Sequence, residues 1–208
     1  MSDGLQIIVG ALIGYVIGMF PSADLVARLA SRGRPDEEAV DLRAAGSGNP
    51  GGLNAARVLG KKWGLLVIVM DAAKGALAGF VGLALGDAAA YAAATAVIAG
   101  HCWPVYNGFR GGKGVAAGGG SFFAAFPPMV PVDGLITASV AFLGKSSRLA
   151  IRAALVVWVI AAVVWWAADW PMWWGPAPSF GLVAYAVLGA AMVQVRFTLS
   201  ARSGRADL

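Results

Sequence analysis

The residues best suited to chemistry gather in the stretch from Gly100 to Val115, which joins two apolar runs. This stretch holds His101, the single histidine of the chain, together with the cations Arg110 and Lys113. A glycine leaves its backbone N–H open to approach, so the run 111–114 could curl amides around an anion while Lys113 adds a full charge. This arrangement predicts a phosphate ligand.

A second glycine-rich stretch, Gly46 to Gly60, has the same character. It carries the neutral hydrogen-bonding residues Ser47, Asn49 and Asn54, and then Arg57, whose planar guanidinium suits phosphate or carboxylate. Two such loops on one face indicate one shared site. The alternative is a turn-rich linker whose arginines only satisfy membrane topology, and that interpretation is preferred for the nearby Arg28, Arg32 and Arg34.

Three further side chains are candidates for the same site. Asp71 and Lys74 are three residues apart and share one face of an apolar helix, where ionisable groups are costly and usually functional. A helix-packing ion pair is an equal alternative. A histidine can accept a proton near neutral pH, so His101 could be a general base, although an orienting or simply packed histidine is equally open.

The same residues argue against several other classes of site. One cysteine and one histidine supply neither a disulfide nor a zinc site, and neighbouring residues on a helix point about 100° apart, which disfavours a Cys102–His101 catalytic pair. Lys113 is followed by Gly114 where an ATP-binding loop needs serine or threonine. We therefore expect no metal, no cofactor and no nucleotide loop.

The elements that position these residues are predicted to be membrane helices. The chain of 208 residues is 59% hydrophobic and 13% charged, against about a quarter charged in soluble proteins. Apolar runs long enough to cross a bilayer recur along its length, which favours an all-α membrane protein with one domain over residues 1–208. The seven predicted spans are Leu5–Phe20, Trp63–Leu85, Ala88–Val105, Val115–Val130, Gly134–Leu143, Leu149–Trp170 and Phe180–Phe197.

Lysines and arginines alternate with the predicted spans. They occur in the first, third and fifth connections and in the tail, whereas the other connections contain none. The positive-inside rule then puts the N-terminus outside, the C-terminus in the cytoplasm and the loops 21–62 and 106–114 on the cytoplasmic side. The short fifth span is retained because, without it, Lys145 and Arg148 would lie outside. No nucleic-acid partner is expected, because the basic residues follow the membrane.

The motifs resemble those of the acyl-phosphate:glycerol-3-phosphate acyltransferases of the PlsY type. The likeness rests on the run 46–57, on the run 100–116 and on Asp71-x-x-Lys74-Gly75, and it covers roughly the first 120 residues. It implies a seven-span fold with an external N-terminus. It also implies transfer of an acyl chain from acyl phosphate to the 1-hydroxyl of glycerol 3-phosphate, which gives lysophosphatidate without acyl-CoA or acyl carrier protein as direct donor.

The chain departs from the family pattern at several positions. Leu53 and Ala117 stand where threonine is usual, the segment 127–143 is short, and the third family motif has no good counterpart between Gln194 and Leu208. A transporter, or a non-catalytic membrane protein that binds phosphorylated ligands, therefore stays open as an alternative.

The complete prediction combines the residues with the resemblance. The predicted catalytic residues are Ser47, Arg57, His101 and Lys113. The predicted substrate-binding residues are Arg43, Gly48, Asn49, Asn54, Lys74, Asn107, Arg110, Gly111, Gly112 and Gly114. The expected partners are glycerol 3-phosphate, acyl phosphate, membrane lipid and the enzyme that makes acyl phosphate, and the expected location is the bacterial plasma membrane.

Overall fold

The computed structural model describes residues 2–32, 40–142 and 147–202, and these residues form a helical bundle. Nine α-helices lie within the described residues, and a short 3-10 helix covers Val105–Asn107. The α-helices are α1 (Asp3–Gly18), α2 (Ser22–Ser31), α3 (Gly52–Val58), α4 (Lys61–Leu83), α5 (Asp87–Cys102), α6 (Val115–Ala125), α7 (Met129–Phe142), α8 (Ser147–Ala167) and α9 (Phe180–Arg202). The predicted all-α class is confirmed.

Five helical segments of the described chain are long and apolar enough to cross a membrane. They are Asp3–Ser31, Lys61–Leu83, Asp87–Asn107, Arg148–Ala167 and Phe180–Ser200, and α6 is a shorter apolar helix. Many of their large apolar side chains are exposed, for example Leu12, Leu65 and Ile160, as expected for surfaces in contact with lipid. The protein is therefore a multi-pass membrane protein.

Prolines move two predicted boundaries. α6 ends at Ala125 instead of Val130, because Pro127 and Pro128 lack the N–H that would continue the helix and restrict the residue before them. α7 then begins at Met129, before the predicted start at Gly134. The weak fifth span is thus a longer helix than its hydropathy suggested.

The segment 21–62, which the sequence predicts to be a loop, is not a plain loop. It contains α2 and α3, two short helices that pack against α4. Pro21 lies between α1 and α2 and precedes the first residue of α2. Gly60, with φ +104°, changes the direction of the chain just before α4 begins. These interruptions bring the start of α2 back against the end of the bundle.

Glycines let the central helices approach closely. Gly10, Gly14 and Gly18 are the buried residues of α1, and they repeat every four positions along one face. A Cβ added at Gly14 would overlap the backbone of Ala93 on α5. A Cβ at Gly75 on α4 would likewise overlap the backbone of α6. Small residues therefore allow the close packing of these helices.

Hydrogen bonds show which segments share each end of the bundle. The Tyr91 hydroxyl donates to the Ala177 carbonyl at 3.0 Å, and Trp174 Nε1 donates to the Phe123 carbonyl at 2.6 Å. The start of α5, the end of α6 and the connection before α9 therefore meet at one end. At the opposite end, the Tyr15 hydroxyl donates to the Trp103 carbonyl at 2.6 Å, which joins the ends of α1 and α5.

Candidate active site

A polar cavity lies at the end of the bundle where α1 and α5 finish. Its empty volume is about 280 Å³, and its lining includes the connection between α1 and α2, Arg43, Pro50, the α4 pair Asp71 and Lys74, and His101 with the adjacent glycines. Both glycine-rich stretches therefore contribute to one cavity, as the sequence predicts.

Two buried residues, Lys74 and His101, share the carboxylate of Asp71 in this cavity. Lys74 Nζ lies 2.8 Å from Asp71 Oδ1 and donates to the Phe20 carbonyl at 3.1 Å. His101 Nδ1 lies 3.5 Å from the same Asp71 oxygen. The predicted contact between Asp71 and Lys74 is confirmed, and its extension to the α5 histidine was not predicted.

The imidazole of His101 is held between α4 and the glycine-rich stretch. Its Nδ1 faces Asp71, and a Cβ added at Gly112 would overlap its Nε2. The residue at position 112 must therefore be a glycine for the ring to keep this position. Nε2 is therefore the ring nitrogen that faces the glycine-rich stretch, away from Asp71.

The structure corrects one expectation about the run 111–114, called here the glycine strip. The Gly111 amide donates to the Cys102 carbonyl at 3.2 Å, and the Gly112 amide donates to the His101 carbonyl at 3.1 Å. These two amides are occupied and cannot also cradle an anion. The first amides of α6, after Gly114, belong to the N–H groups that a helix leaves open, so they are better placed for that role.

Arg196 on α9 holds the other side of the glycine strip, and the sequence did not predict it. Its Nε donates to the Gly112 carbonyl at 3.0 Å, and its Nη2 donates to the Gly111 carbonyl. The guanidinium also lies 5.9 Å from the centre of the Trp103 ring. The signal that could have found it is an arginine inside the last apolar run, since ionisable residues in spans are rarely idle.

Arg43, which lies just before the first glycine-rich stretch, contacts the second one. Its Nη1 and Nη2 donate to the Asp24 carboxylate at 2.5 and 3.1 Å, and its Nε donates to the Arg110 carbonyl at 3.3 Å. Asn107 Nδ2 donates to the same carbonyl at 2.8 Å. Burial alone would lower the pKa of Arg43, but the hydrogen bonds and charge of Asp24 outweigh it and raise that pKa. Arg43 therefore stays a cation.

Asn54 shapes the first glycine-rich stretch. It is buried, its Nδ2 donates to the carbonyls of Leu42 and Ala45 at 3.0 Å each, and its Oδ1 accepts the Ser47 amide at 2.8 Å. Both protons of the side-chain amide are used. Asn54 therefore positions Ser47, and the prediction that it also touches substrate stays a prediction.

The predicted site residues fall into two groups. Arg43, Lys74, His101, Gly111 and Gly112 line the polar cavity. The described lining does not include Ser47, Gly48, Asn49, Asn54, Arg57, Asn107, Arg110, Lys113 or Gly114. Ser47 is half-buried, Arg57 is exposed on the last turn of α3, and Lys113 Nζ lies 4.5 Å from the centre of the Phe197 ring.

An apolar cleft lies beside the polar cavity. Its empty volume is about 480 Å³, and it runs between α6, α8 and α9 past Phe122, Leu155 and Trp158. Gly114 lines the cleft, whereas Gly111 and Gly112 line the polar cavity. The glycine strip is thus the boundary between the two spaces. Within the described residues, no three histidine, cysteine or carboxylate side chains cluster as metal ligands.

Comparison with known proteins identifies this arrangement. The family model described as glycerol-3-phosphate acyltransferase matches residues 8–202. The chain belongs to this family. The match extends through α9, well beyond the first 120 residues that carried the resemblance.

Individual relatives agree with this assignment. A glycerol-3-phosphate acyltransferase of Rubrobacter xylanophilus is 36% identical over 195 residues, which cover 92% of this chain and 88% of the relative. The one from Syntrophotalea carbinolica is 43% identical over 119 residues, 56% of this chain and 57% of the relative.

Solved structures agree as well. The crystal structure of PlsY (YgiH), an integral membrane glycerol 3-phosphate acyltransferase, in its glycerol 3-phosphate form is 26% identical, with a TM-score of 0.75 over 96% of this chain and 93% of that one. Its lysophosphatidic acid form gives a TM-score of 0.72 over the same shares.

Proposed function

We propose that this protein transfers an acyl chain from acyl phosphate to the 1-hydroxyl of sn-glycerol 3-phosphate, giving lysophosphatidate for phospholipid synthesis. The observation that carries the proposal is that one polar cavity is lined by Pro50 of the first family motif and by His101, Gly111 and Gly112 of the second. The glycerol 3-phosphate and lysophosphatidic acid forms of the related PlsY structure support this substrate and this product.

The reaction mainly requires that the protein align the glycerol hydroxyl with the acyl carbonyl and stabilise the negative charge that develops on the oxygens. Acyl phosphate is a mixed anhydride: the glycerol oxygen attacks the carbonyl carbon, the carbon–oxygen bond to phosphate breaks, and phosphate leaves. His101 Nε2 takes the hydroxyl proton. Ser47, Arg57 and Lys113 stabilise the charge that develops on the carbonyl and phosphate oxygens, as preorganised donors do in acyl transfer.

The remaining predicted residues hold or shape the two reactants. Arg43 and Lys74 line the polar cavity, Arg43 and Asn107 both donate to the Arg110 carbonyl, and Gly48 and Asn49 belong to the loop that Asn54 holds in place. Gly111, Gly112 and Gly114 keep the boundary with the apolar cleft thin. That cleft takes the acyl chain of the donor, because it is lined mostly by apolar side chains and begins at Gly114.

We further propose seven crossings, with the N-terminus outside and the C-terminus in the cytoplasm of a bacterial inner membrane. The hydrogen bonds at the two ends support this. α6 finishes beside the connection that precedes α9, at the end opposite the glycine strip. α6 and α7 then both pass between the two ends despite their shortness. The whole chain works as one domain, without a cofactor, and receives acyl phosphate from the enzyme that makes it.

The test is a reconstituted reaction with purified protein. Acyl phosphate and radiolabelled glycerol 3-phosphate should give lysophosphatidate, whereas acyl-CoA or acyl carrier protein in place of acyl phosphate should not. Lys113→Met and Arg57→Ala should each lower turnover by about a hundredfold, as the loss of one preorganised donor does. Lys62→Met is the matched control, because Lys62 is an exposed residue in the first turn of α4.

Two outcomes would contradict the proposal. Wild-type protein that forms no lysophosphatidate in detergent or in vesicles would remove the assigned reaction, and flux of a phosphorylated ligand across the same vesicles would favour a transporter. Normal turnover in both variants would remove Lys113 and Arg57 from the site and leave the reaction itself in place.

A further inference from the structure

Asp133, on α7, is an acidic residue in the apolar cleft that the proposed mechanism does not use. The lining of the cleft within the described residues contains no lysine, arginine or histidine to pair with it. A Cβ added at Gly119 would lie 3.5 Å from Asp133 Oδ2, so the carboxyl group faces α6, which forms one wall of the cleft. Ionisable groups at membrane depth are costly and usually functional. The carboxyl group is therefore expected to meet a polar group of a bound molecule.

Trp158, on α8, brings a hydrogen-bond donor to the same cleft. It is 2% exposed, and its Nε1 has no hydrogen-bond partner among the described residues. A Cβ added at Gly189 would overlap the six-membered ring of this indole, so the edge that carries Nε1 lies on the side away from Gly189. Buried indole N–H groups usually find a partner, and an unpaired one costs free energy. The occupant of the cleft is expected to supply that partner.

The Trp158 ring is held in place by its neighbours. Its centre lies 4.9 Å from the ring centre of Phe122 and 4.9 Å from that of Tyr185, and both contacts are edge-to-face. The Tyr185 hydroxyl is already paired with the Ser121 hydroxyl. Because these contacts fix the indole, Nε1 cannot turn to an acceptor elsewhere in the bundle.

Both polar groups lie well inside the cleft. Gly119 is five residues beyond Gly114 on α6, which corresponds to about 8 Å along the helix. Phe122, which contacts Trp158, lies three residues further, at about 12 Å. Because the proposed acyl chain enters at Gly114, the two groups face the middle of that chain and not its carbonyl.

We infer that Asp133 and Trp158 select an acyl chain that carries a hydroxyl group near its middle. This inference rests on the proposed function and adds a class of acyl donor to it. The chain hydroxyl donates to the Asp133 carboxyl group, and its oxygen accepts the N–H of Trp158. A hydroxyl fits both groups because it is a donor and an acceptor at once. A plain hydrocarbon chain leaves both groups unpaired, which disfavours its binding.

The test compares acyl phosphates of equal length in the reconstituted reaction. The donors are palmitoyl phosphate and hydroxypalmitoyl phosphates whose hydroxyl lies near the carbonyl, at the middle or at the methyl end. For the wild type, kcat/KM with the mid-chain donor should exceed that with palmitoyl phosphate by about tenfold or more, as expected for a hydrogen bond to a charged group. The donors with the hydroxyl at either end should show no such advantage.

Variants of the two residues should remove this preference. Asp133→Leu should bring the ratio of the two kcat/KM values close to one, and Trp158→Phe should lower it severalfold. Asp133→Asn, which keeps an acceptor of the same size, should retain part of the ratio and serves if the leucine variant folds poorly. Trp165→Phe is the matched control and should keep the wild-type ratio. Trp165 Nε1 also lacks a partner among the described residues, but Trp165 is not part of the described cleft lining.

The outcomes separate this inference from the proposed function. Equal use of the plain and mid-chain donors by the wild type, or an unchanged ratio in Asp133→Leu, would overturn the inference while the reaction stands. If the wild type transfers no acyl chain at all, thermal stabilisation by free hydroxypalmitate and by palmitate gives the answer. Stronger stabilisation by mid-chain hydroxypalmitate that is lost in Asp133→Leu would keep the inference and remove the reaction. Equal stabilisation by the two fatty acids would remove both.

Discussion

At the residue scale, the polar cavity depends on side chains that hold other side chains in place. Asp71 faces Nδ1 of His101, Gly112 leaves space for Nε2, and Lys74 neutralises the carboxylate. Asn54 holds the loop that carries Ser47 in place, because its Oδ1 accepts the Ser47 amide. A buried network of this kind limits side-chain movement, which favours the fixed geometry that acyl transfer requires.

A substitution of the histidine tests its role in proton transfer. His101→Asn keeps a polar side chain of similar size but removes the base, so kcat should fall by about a hundredfold or more. The binding of glycerol 3-phosphate, measured by thermal stabilisation, should change much less. A kcat within a few-fold of wild type would show that the leaving phosphate takes the proton instead.

Individual site residues differ in how far the sequence predicts them. His101 and Lys113 stand out because their residue types are rare in an apolar chain. The structural role of Asn54 and the contacts of Arg196 depend on backbone carbonyls from other segments, which no spacing reveals.

At the element scale, the position of the site depends on how closely glycine faces let the helices pack. The α1–α5 contact is the best example. A methyl group at Gly14 would overlap the backbone of Ala93, whereas a methyl group at Gly4 on the same helix meets nothing within 4 Å. The end of α1 supplies the Phe20 carbonyl that accepts from Lys74. A shift of α1 would therefore reach the polar cavity.

The two glycines of α1 give a matched pair of variants. Gly14→Ala should destabilise the protein by about 1–3 kcal/mol, the usual cost of overpacking, and should lower the unfolding temperature in detergent. Gly4→Ala should be neutral or slightly stabilising, because alanine favours a helix where space is free. Equal unfolding temperatures for the two variants would contradict the close packing of α1 on α5.

The tether between α9 and the glycine strip gives a second prediction. Arg196→Lys keeps the charge but cannot donate to both the Gly111 and Gly112 carbonyls from one planar group. We expect kcat/KM to fall by about tenfold, with the unfolding temperature little changed. Arg152→Lys is the control, because Arg152 is exposed on α8. Activity equal to that of the control would remove Arg196 from the support of the site.

Helix type was easier to predict than helix ends. Long apolar runs identified α4, α5, α8 and α9 within a few residues. The sequence does not predict α2 and α3, because they lie in a segment whose turn-forming and charged residues indicate a loop. Both helices are stabilised by packing against α4. The third family motif has no good counterpart in the residue pattern of the tail, but Arg196 on the last helix donates to the Gly111 carbonyl of the glycine strip.

At the scale of the whole molecule, the bundle has two chemically different ends. One end joins the start of α5, the end of α6 and the connection before α9. The other carries the polar cavity, the glycine strip and the contacts of Arg43. The proposed reaction therefore takes place at a single membrane surface, the one with the basic connections.

Thiol labelling of intact cells tests this orientation. Cys102 is fully buried, so the native protein should not react with a membrane-impermeant maleimide. Trp173→Cys replaces a residue that is 62% exposed in the connection before α9 and should be labelled from outside. Lys62→Cys, at the start of α4, should be labelled only after the cells are permeabilised. The reverse pattern would invert the proposed topology.

The glycine strip separates the polar cavity from the apolar cleft by only a few residues. Three peptide steps lead from Gly111, at the polar cavity, to Gly114, at the apolar cleft, and three residues span at most about 10 Å. A water-soluble alcohol and a fatty tail that never share a phase can thus react without either one leaving its own medium. The glycine strip then acts as a thin wall between the two substrates, and the new ester bond forms across this wall.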